Sequence, residues 1–305
     1  MAQKKIVVLG TASQVPTTFR NHMGLFLRWE NEDFLFDPGE GTQRQIIRFK
    51  VPINRIKKIF ISHFHGDHCL GLPGIIQRLS LNQINHPVEI IYPKEGEFFL
   101  KNLINAAIFH NNLELIFCPI EHDGKISVSG EVLIEAYKLD HGIDCYGFRI
   151  SDPLKWNVIP SKLPKDLPKE AIGELKERGI IEFKGQKVFL QQVAVPKKRQ
   201  IFSYVMDTRI CDSAYKIADS ADILVCESTY LSTETKLAEN YKHLTAMQAA
   251  EIAKKSKVKK LILTHFSQRY NTTELFEQEA QKIFKNTIAA RDGMEIEFEA
   301  IRRNI

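Results

Sequence analysis

Short apolar runs, each followed by a polar or charged turn, predict strands in the first part of the chain. These strands cover residues 6–10, 25–29, 34–37 and 59–61. In three other stretches the apolar side chains recur about every three or four residues, which predicts helices. These helices cover residues 42–49, 72–81 and 96–109. Strands that alternate with helices indicate an α/β fold.

The second half of the chain continues the alternation. Strands are predicted within 113–150, at 201–206, 223–226 and 260–264, and among the closing residues 287–300. Thr245 and Gln248 have the spacing of a capping box, which predicts the start of a helix that runs to about residue 255. A further helix is predicted at 274–284. Asp207 and Glu227 each lie at or just beyond a predicted strand end.

Length and composition narrow the class of protein. The 305 residues, of which 44% are hydrophobic, suffice for one large domain or two small ones. The five cysteines are odd in number and never form a C-x-x-C pair, which argues against a disulfide framework and against a thiolate zinc site. No apolar run reaches the length of a membrane span. We therefore expect a cytoplasmic protein that has no part in the membrane.

Residues 151–199 differ from the rest of the chain in composition. They contain five of the twelve prolines, and eleven Lys and Arg against six Asp and Glu. A solvated surface loop and a functional insertion are both consistent with this pattern. The net charge of the whole chain, +5, is modest and does not by itself indicate a nucleic-acid partner.

Four potential metal ligands fall within six residues after the apolar run 59–61. Three of the ten histidines of the chain, His63, His65 and His68, lie here with Asp67. His63 and His65 alternate by two, so an extended segment directs both imidazoles to one side, whereas Asp67 and His68 follow the turn that Gly66 permits. Imidazole and carboxylate ligands suit zinc and also manganese or iron.

Four ligands do not complete two catalytic metal sites, so other parts of the chain must contribute. His141, Asp207 and His265 each follow a predicted strand, where the rim of a sheet would collect them. Each residue alone is an ordinary polar side chain. As a set with the histidine loop, they predict a metal centre.

The loop His63-x-His65-x-Asp67-His68 is similar to the H-x-H-x-D-H signature of metallo-β-lactamase-fold hydrolases. Neighbouring segments narrow the resemblance to the ribonuclease Z family, endonucleases that process the 3′ end of tRNA. These segments are 9–11, 36–43, 71–74, 141–142, 207–209, 227–230, 243–246 and 264–270, with Pro16, Arg20 and Asn21. The resemblance implies an α/β metallo-β-lactamase fold, a four-layer αββα sandwich. It would be a single domain over 1–305, with a basic, proline-rich arm for tRNA inserted at about 151–199.

The resemblance also implies the chemistry of a zinc-dependent endoribonuclease. One zinc would be held by His63, His65 and His141, a second by Asp67, His68 and His265, and Asp207 would bridge them. A metal-held hydroxide would attack the phosphodiester between the tRNA and its 3′ trailer, with Asp67 orienting or deprotonating the water. His243 would protonate the departing 3′ oxygen, with Glu227 keeping it charged and aligned. Manganese or iron would be possible substitutes for zinc.

Precursor tRNA is the expected partner. Arg20, Asn21 and Arg269 would lie near the scissile end, and arm lysines would contact phosphates. The arm lysines are Lys162, Lys165, Lys169 and Lys176. Many family arms carry a Gly-Pro dipeptide, but this chain has none, and residues 167–179 predict a helix start instead. Family members are usually homodimers, which we expect here too.

Two other functions stay open at this point. The altered arm is compatible with a small-molecule phosphodiesterase or esterase of the same fold. A non-catalytic RNA-binding protein with a structural metal is the third hypothesis, which the complete set of ligands and proton donor disfavours.

Overall fold

The computed structural model describes residues 4–126 and 132–299. The predictions for residues 127–131 and 300 lie outside this part of the chain. In chain order the strands are β1 (Lys5–Gly10), β2 (Gly24–Trp29), β3 (Glu32–Phe36), β4 (Ile56–Phe60), β5 (Val88–Pro93), β6 (Leu115–Ile120), β7 (Gly124–Lys125), β8 (Leu133–Lys138), β9 (Tyr146–Ser151), β10 (Trp156–Val158), β11 (Ile180–Phe183), β12 (Gln186–Phe189), β13 (Ala194–Pro196), β14 (Ile201–Val205), β15 (Ile223–Glu227), β16 (Lys260–Thr264), β17 (Thr287–Ala289) and β18 (Glu295–Glu297).

The helices are mostly short. In chain order they are α1 (Thr42–Arg48), α2 (Gly66–Cys69), α3 (Leu72–Leu81), α4 (Glu97–Ile104), α5 (Lys169–Arg178), α6 (Leu190–Val193), α7 (Asp212–Ala218), α8 (Thr235–Tyr241), α9 (Ala246–Lys255) and α10 (Glu274–Gln281). Single 3-10 turns lie at Ile53–Arg55, Lys94–Gly96, Pro160–Lys162 and Ser232–Glu234. The described part of the chain divides into two compact units, one within residues 4–150 and 201–299 and the other of residues 151–200.

Two β-sheets form the inner layers of the first unit. Within the described residues, one sheet has the strand order β18-β1-β2-β3-β4-β5-β6, and the other has the order β17-β16-β15-β14-β9-β8-β7. Strands β3 to β6 pair in parallel, as do β14 to β17. The carboxyl ends of neighbouring parallel strands meet at one edge of a sheet, where ligands of such sheets are usually bound.

Aromatic rings fill the space between the two sheets. Phe36 on β3 stacks on Phe60 of β4, with ring centroids 4.5 Å apart. From the other sheet, Phe148 lies 5.0 Å from Phe60 and Tyr204 lies 5.0 Å from Phe36. All four rings belong to one buried cluster that joins the sheets. The sheets therefore share a dry, close-packed interior.

Helices cover the outer face of each sheet. Ile46 of α1, Leu72 of α3 and Leu100 of α4 belong to the buried cluster on the outside of the first sheet. The cluster outside the second sheet draws on α7, α9 and α10, for example through Ala250 and Phe276. The fold is thus helix, sheet, sheet, helix, and the predicted αββα class is confirmed.

Most predicted elements are present, with differences at their ends. Helix α3 has the predicted bounds, and α9 begins with the predicted capping box, in which Thr245 Oγ1 accepts from Gln248 N at 3.3 Å. The helix predicted at 96–109 was too long, because α4 ends at Ile104. The next residue, Asn105, caps the helix, and both its backbone N and its side chain donate to the Lys101 carbonyl, at 3.1 and 2.7 Å.

Residues 151–200 have a small hydrophobic core of their own. Leu175 of α5 is buried with Ile181, Val188 and Val193. Two antiparallel strand pairs, β10 with β13 and β11 with β12, complete this unit. Helix α5 occupies the region where a helix start was predicted, and it ends at Gly179, whose φ of 75° is the left-handed conformation that glycine tolerates. The basic segment is therefore folded rather than a bare loop.

None of the helices in the described part of the chain combines the length and the apolar character needed to cross a lipid bilayer.

We predict that Leu175→Ala loosens the unit of residues 151–200. Leu175 is fully buried in a core of few side chains, so the substitution should lower the free energy of unfolding of this unit by about 2–4 kcal/mol. Amide hydrogen exchange should accelerate in α5 and β11. Lys176→Ala, at the exposed neighbouring position, is the matched control and should leave exchange unchanged. Equal exchange in the two variants would contradict a core at Leu175.

Candidate metal centre

The histidine loop directly follows the buried strand β4. Ser62 and His63 are fully buried, whereas His65 is exposed. Gly66, which was expected to permit a turn, instead begins the short helix α2, which carries Asp67 and His68. This helix start redirects the chain, so that the ligands before and after it face a common space.

The other predicted ligands come from the ends of strands in the second sheet. His141 follows β8, Asp207 follows β14 and His265 follows β16. Asp207 and His265 have positive φ angles of 37° and 62°. For residues other than glycine this region is sparsely populated and costs about 1–3 kcal/mol each, and such strain clusters at functional sites.

The seven predicted ligands lie together in two groups. The first consists of His63, His65, His141 and Asp207, and the second of Asp67, His68 and His265. Within each group the candidate ligand atoms are all within 4.8 Å of one another. Asp207 also reaches the second group, since its Oδ2 lies 3.5 Å from His68 Nε2 and its Oδ1 lies 3.2 Å from His265 Nε2.

The donor atoms fit a bound cation. His63 Nε2 and His65 Nδ1 face each other at 3.0 Å, and His68 Nε2 and His265 Nε2 at 3.2 Å. Asp207 Oδ1 is buried and accepts no hydrogen bond among the described residues, although His265 Nε2 lies 3.2 Å away. Converging imidazole nitrogens beside an unsatisfied buried carboxylate oxygen need a positive charge between them, and nitrogen with carboxylate oxygen is the ligand set of catalytic zinc sites.

A buried carboxylate behind the ligands fixes their orientation. Asp37 accepts from His68 Nδ1 at 3.0 Å, from Ser62 Oγ at 2.7 Å and from Tyr204 Oη at 2.9 Å. A His68 ring that donates through Nδ1 presents its Nε2 to the metal site. Ser62 Oγ also lies 3.0 Å from His63 Nδ1, so Asp37 influences one histidine in each ligand group.

Burial and charge favour the metal-binding forms of His63 and Asp67, whereas the carboxylates of Asp67, Asp207 and Asp37 outweigh burial and raise the pKa of His68, which must lose its proton to bind a metal. Burial, helped by the charge of His68, lowers the pKa of His63 to about 4, so this imidazole is neutral near pH 7. Burial alone would raise the pKa of Asp67, but the neighbouring His68 and His265 outweigh it and hold that pKa below its usual range. Neutral imidazole and ionised carboxylate are the forms that bind divalent metals.

His243 and Glu227 form a separate pair beside the ligands. His243 Nδ1 lies 3.0 Å from Glu227 Oε1, and Glu227 also accepts from Thr208 N at 2.8 Å and Thr229 Oγ1 at 2.7 Å. Burial alone would lower the pKa of His243, but the charges of Glu227 and Asp207 outweigh it and raise that pKa to about 9. The imidazole is therefore protonated near pH 7 and held in one orientation.

One cleft connects these groups with solvent. It has a volume of about 350 Å³, and its lining includes His65, Asp67, His141, Asp207 and His243. Ligand residues from both groups and the proton-donor candidate thus border the same space. We call it the catalytic cleft.

The predicted substrate-binding residues occupy different environments. Arg269 is exposed and lines the catalytic cleft. Arg20 is only 7% exposed and donates to the carbonyls of Ser267 and Tyr270, at 3.2 and 2.7 Å. Asn21 donates from its side chain to the Glu40 carbonyl at 2.8 Å. These bonds favour roles for Arg20 and Asn21 in shaping the loop rather than in contacting substrate.

The four predicted arm lysines all lie in the unit of residues 151–200. Lys162, Lys165, Lys169 and Lys176 are exposed, and the last two are on α5. Their ammonium groups are therefore accessible to solvent.

The sequence interpretation gave no role to Asp37, Tyr204 or Thr229. Asp37 follows strand β3 directly and has a positive φ of 42°, so it has the same strand-end position that singled out Asp207. This strand-end position was the signal by which Asp37 could have been identified as a candidate site residue. Tyr204 lies within a buried strand, where nothing in the sequence distinguishes it from an ordinary core residue.

Comparison with known proteins agrees with this geometry. The profile of the Metallo-beta-lactamase superfamily matches residues 19–168. A ribonuclease Z of Salinispora arenicola is 45% identical over 295 residues, which cover 96% of this chain and 96% of that protein. The chain belongs to the ribonuclease Z family. A second ribonuclease Z, from Protochlamydia amoebophila, is 44% identical over 293 residues, with the same coverage of both chains.

A solved structure supports the assignment to this family. The crystal structure of the short form of human tRNase Z matches with a TM-score of 0.70 and 25% identity, over 97% of this chain and 100% of that one. The family resemblance inferred from the sequence is therefore confirmed. Membership of the superfamily implies that the chain binds divalent metal.

We predict that Gly39→Ala disturbs the centre although Gly39 is no ligand. A Cβ at this position would lie 2.1 Å from the backbone oxygen of Asp67, so α2 must shift. The free energy of unfolding should fall by about 1–3 kcal/mol, and elemental analysis should find less bound divalent metal. Gly142→Ala is the control, because a Cβ there meets nothing within 4 Å. Full metal content in Gly39→Ala would show that the loop tolerates the shift.

Proposed function

We propose that this chain is an endoribonuclease that removes the 3′ trailer from precursor tRNA and leaves a 3′-hydroxyl on the tRNA. The observation that carries the proposal is the catalytic cleft, where both ligand groups meet His243, which is paired with Glu227. Hydrolysis of a phosphodiester needs charge neutralisation at phosphorus and a proton for the departing oxygen, and this cleft offers both. The relatives that are named ribonuclease Z and the human tRNase Z structure support the choice of substrate.

We propose two zinc ions per chain, with manganese or iron as substitutes. His63, His65 and His141 would hold one ion, and Asp67, His68 and His265 the other, with Asp207 shared between them. The support is the mixed nitrogen and oxygen donor set and the unsatisfied Oδ1 of Asp207. Bound divalent cations would lower the pKa of water and offset the negative charge that develops on the phosphoryl oxygens.

The side chains divide the proton transfers between them. Asp67 would orient the attacking water and take its proton, since bound cations would lower the pKa of that water. His243 would give a proton from Nε2 to the 3′ oxygen of the tRNA, since its Nδ1 is engaged by Glu227. Glu227 is fully buried and is fixed by Thr208 and Thr229, so it holds the imidazole in the donating orientation.

Other parts of the proposal concern the surroundings of the enzyme. The exposed lysines of residues 151–200 would contact tRNA phosphates, and these contacts would weaken as the salt concentration rises. A cytoplasmic setting is supported by the five cysteines, all of which are free thiols. A homodimer stays a prediction from the family resemblance, which the molar mass in solution would test.

We predict that purified protein with zinc cuts a 3′-extended precursor tRNA once, after the discriminator base. Asp67→Ala removes both a ligand and the proton acceptor, so cleavage should slow by roughly 10³-fold or more. Mapping the product ends on sequencing gels measures both results. Glu251→Ala, on the outer helix α9, is the control and should cleave normally. If the wild type does not cleave the precursor but hydrolyses a cyclic nucleotide, the chain is a small-molecule phosphodiesterase instead.

We predict that His243→Ala affects only the departure of the 3′ oxygen. Without the proton donor, cleavage of the natural linkage should slow by about 10²–10⁴-fold. A precursor with sulfur in place of the scissile 3′ oxygen has a leaving group that needs no proton, so the variant should cut it nearly as fast as the wild type does. Single-turnover rates on both substrates measure this contrast. Equal losses on both would show that His243 is not the proton donor.

A further inference from the structure

A second cleft adjoins the catalytic cleft at His65 and His141. It has a volume of about 840 Å³, and its lining includes Phe64, Gly96, Phe99 and Ile143. His65 and His141 are the residues that line both clefts, whereas His243 lines only the catalytic cleft. We call this second space the aromatic cleft. It is continuous with the metal centre through two ligands of the first group.

Two phenylalanine rings form the apolar surface of the aromatic cleft. Phe64 lies between two metal ligands in the sequence, and its ring centroid is 6.1 Å from that of Phe99, at an interplanar angle of 30°. Gly96 makes room for the Phe64 ring, because a Cβ at Gly96 would lie 2.0 Å from it. The Phe99 side chain is 54% exposed although it is large and apolar. Exposed rings at a defined place beside a catalytic centre indicate a binding surface.

Three of the four Asp, Glu and Lys side chains that line the cleft form ion pairs, and the fourth, Glu95, adds a further carboxylate. Asp140 pairs with Arg209 at 2.6 Å and with Lys242 at 3.0 Å. Asp144 pairs with Lys138. Because these carboxylates and cations are already engaged, the cleft is poorly suited to the phosphates of a polynucleotide. A flat, uncharged ring fits it better, since every nucleobase can stack on an aromatic side chain.

The proposed reaction determines which part of the precursor can enter the aromatic cleft. The oxygen of water bonds to phosphorus, the bond from phosphorus to the tRNA 3′ oxygen breaks, and that oxygen takes a proton from His243. The water gives up its own proton to Asp67. The tRNA 3′ end therefore lies on the His243 side, in the catalytic cleft. The trailer stays joined to phosphorus through its 5′ oxygen and must leave the phosphate in another direction.

We propose that the aromatic cleft is the subsite for the first nucleotide of the 3′ trailer, whose base stacks on Phe64 and Phe99. The proposal rests on the proposed function, since it requires a polynucleotide that continues past the scissile phosphate. Stacking is tolerant of base identity, so the subsite would accept any trailer sequence. It would distinguish a trailer that has a base at its first position from one that lacks it.

The test compares Phe99→Ala with the wild type on two precursors. One precursor is ordinary, and the other has an abasic residue as the first trailer nucleotide. Phe99→Ala should lower kcat/KM on the ordinary precursor by roughly 5- to 100-fold, the usual effect of removing one stacking side chain. On the abasic precursor it should change kcat/KM less than twofold, because no base is left to stack. Phe99→Tyr should retain the wild-type rates.

The controls separate this subsite from general damage and from the proposed function. Phe117→Ala removes a ring of similar exposure, 46%, that lines neither cleft, and should change neither rate. Metal content and thermal midpoint of Phe99→Ala should match the wild type. Equal losses on both precursors, or no loss on either, would overturn the subsite while leaving the proposed function intact. Failure of the wild type to cut the ordinary precursor would instead overturn the function.

Discussion

The hydrogen bonds of the Asp37 carboxylate are the constraint on which the metal centre depends. Asp37 lies at the end of β3 in one sheet, and Tyr204, which donates to it, belongs to β14 of the other. Its remaining donors, Ser62 and His68, belong to the histidine loop. A fully buried carboxylate is stable only when such donors satisfy it. The same bonds that satisfy Asp37 therefore hold the two sheets and the ligand loop in one arrangement.

This arrangement divides the centre into a rigid part and an adaptable part. The ligands are attached to strand ends whose side chains lie in close-packed apolar clusters, so their positions follow from the packing of the core. Some of the residues that border the clefts without belonging to the ligand groups, such as Arg269 and Phe99, are exposed. Substrate preference can change at these exposed positions while the geometry of the ligands is kept.

The sequence predicted the fold, and the residues that it proposed as ligands lie together in the structure, for a physical reason. Metal ligands must be histidine or carboxylate, and their place at the ends of apolar runs is visible as a change from apolar to polar residues, as at His63 and His265. Helix ends were harder to predict, because the apolar spacing that predicts a helix continues to residue 109 whereas α4 ends at Ile104. The burial of Arg20 could not be predicted from the sequence either, since the backbone carbonyls to which it donates are about 250 residues away in the chain.

The positive φ angles of Asp37, Asp207 and His265 imply a conflict between stability and activity. Each of these residues holds a conformation that glycine would adopt with less strain, although glycine at Asp37 would also remove the bonds that join the sheets and the ligand loop. At Asp207 and His265, selection for backbone stability and selection for catalysis therefore act in opposite directions. The surrounding core must be stable enough to keep three unfavourable backbone conformations in place through every catalytic cycle.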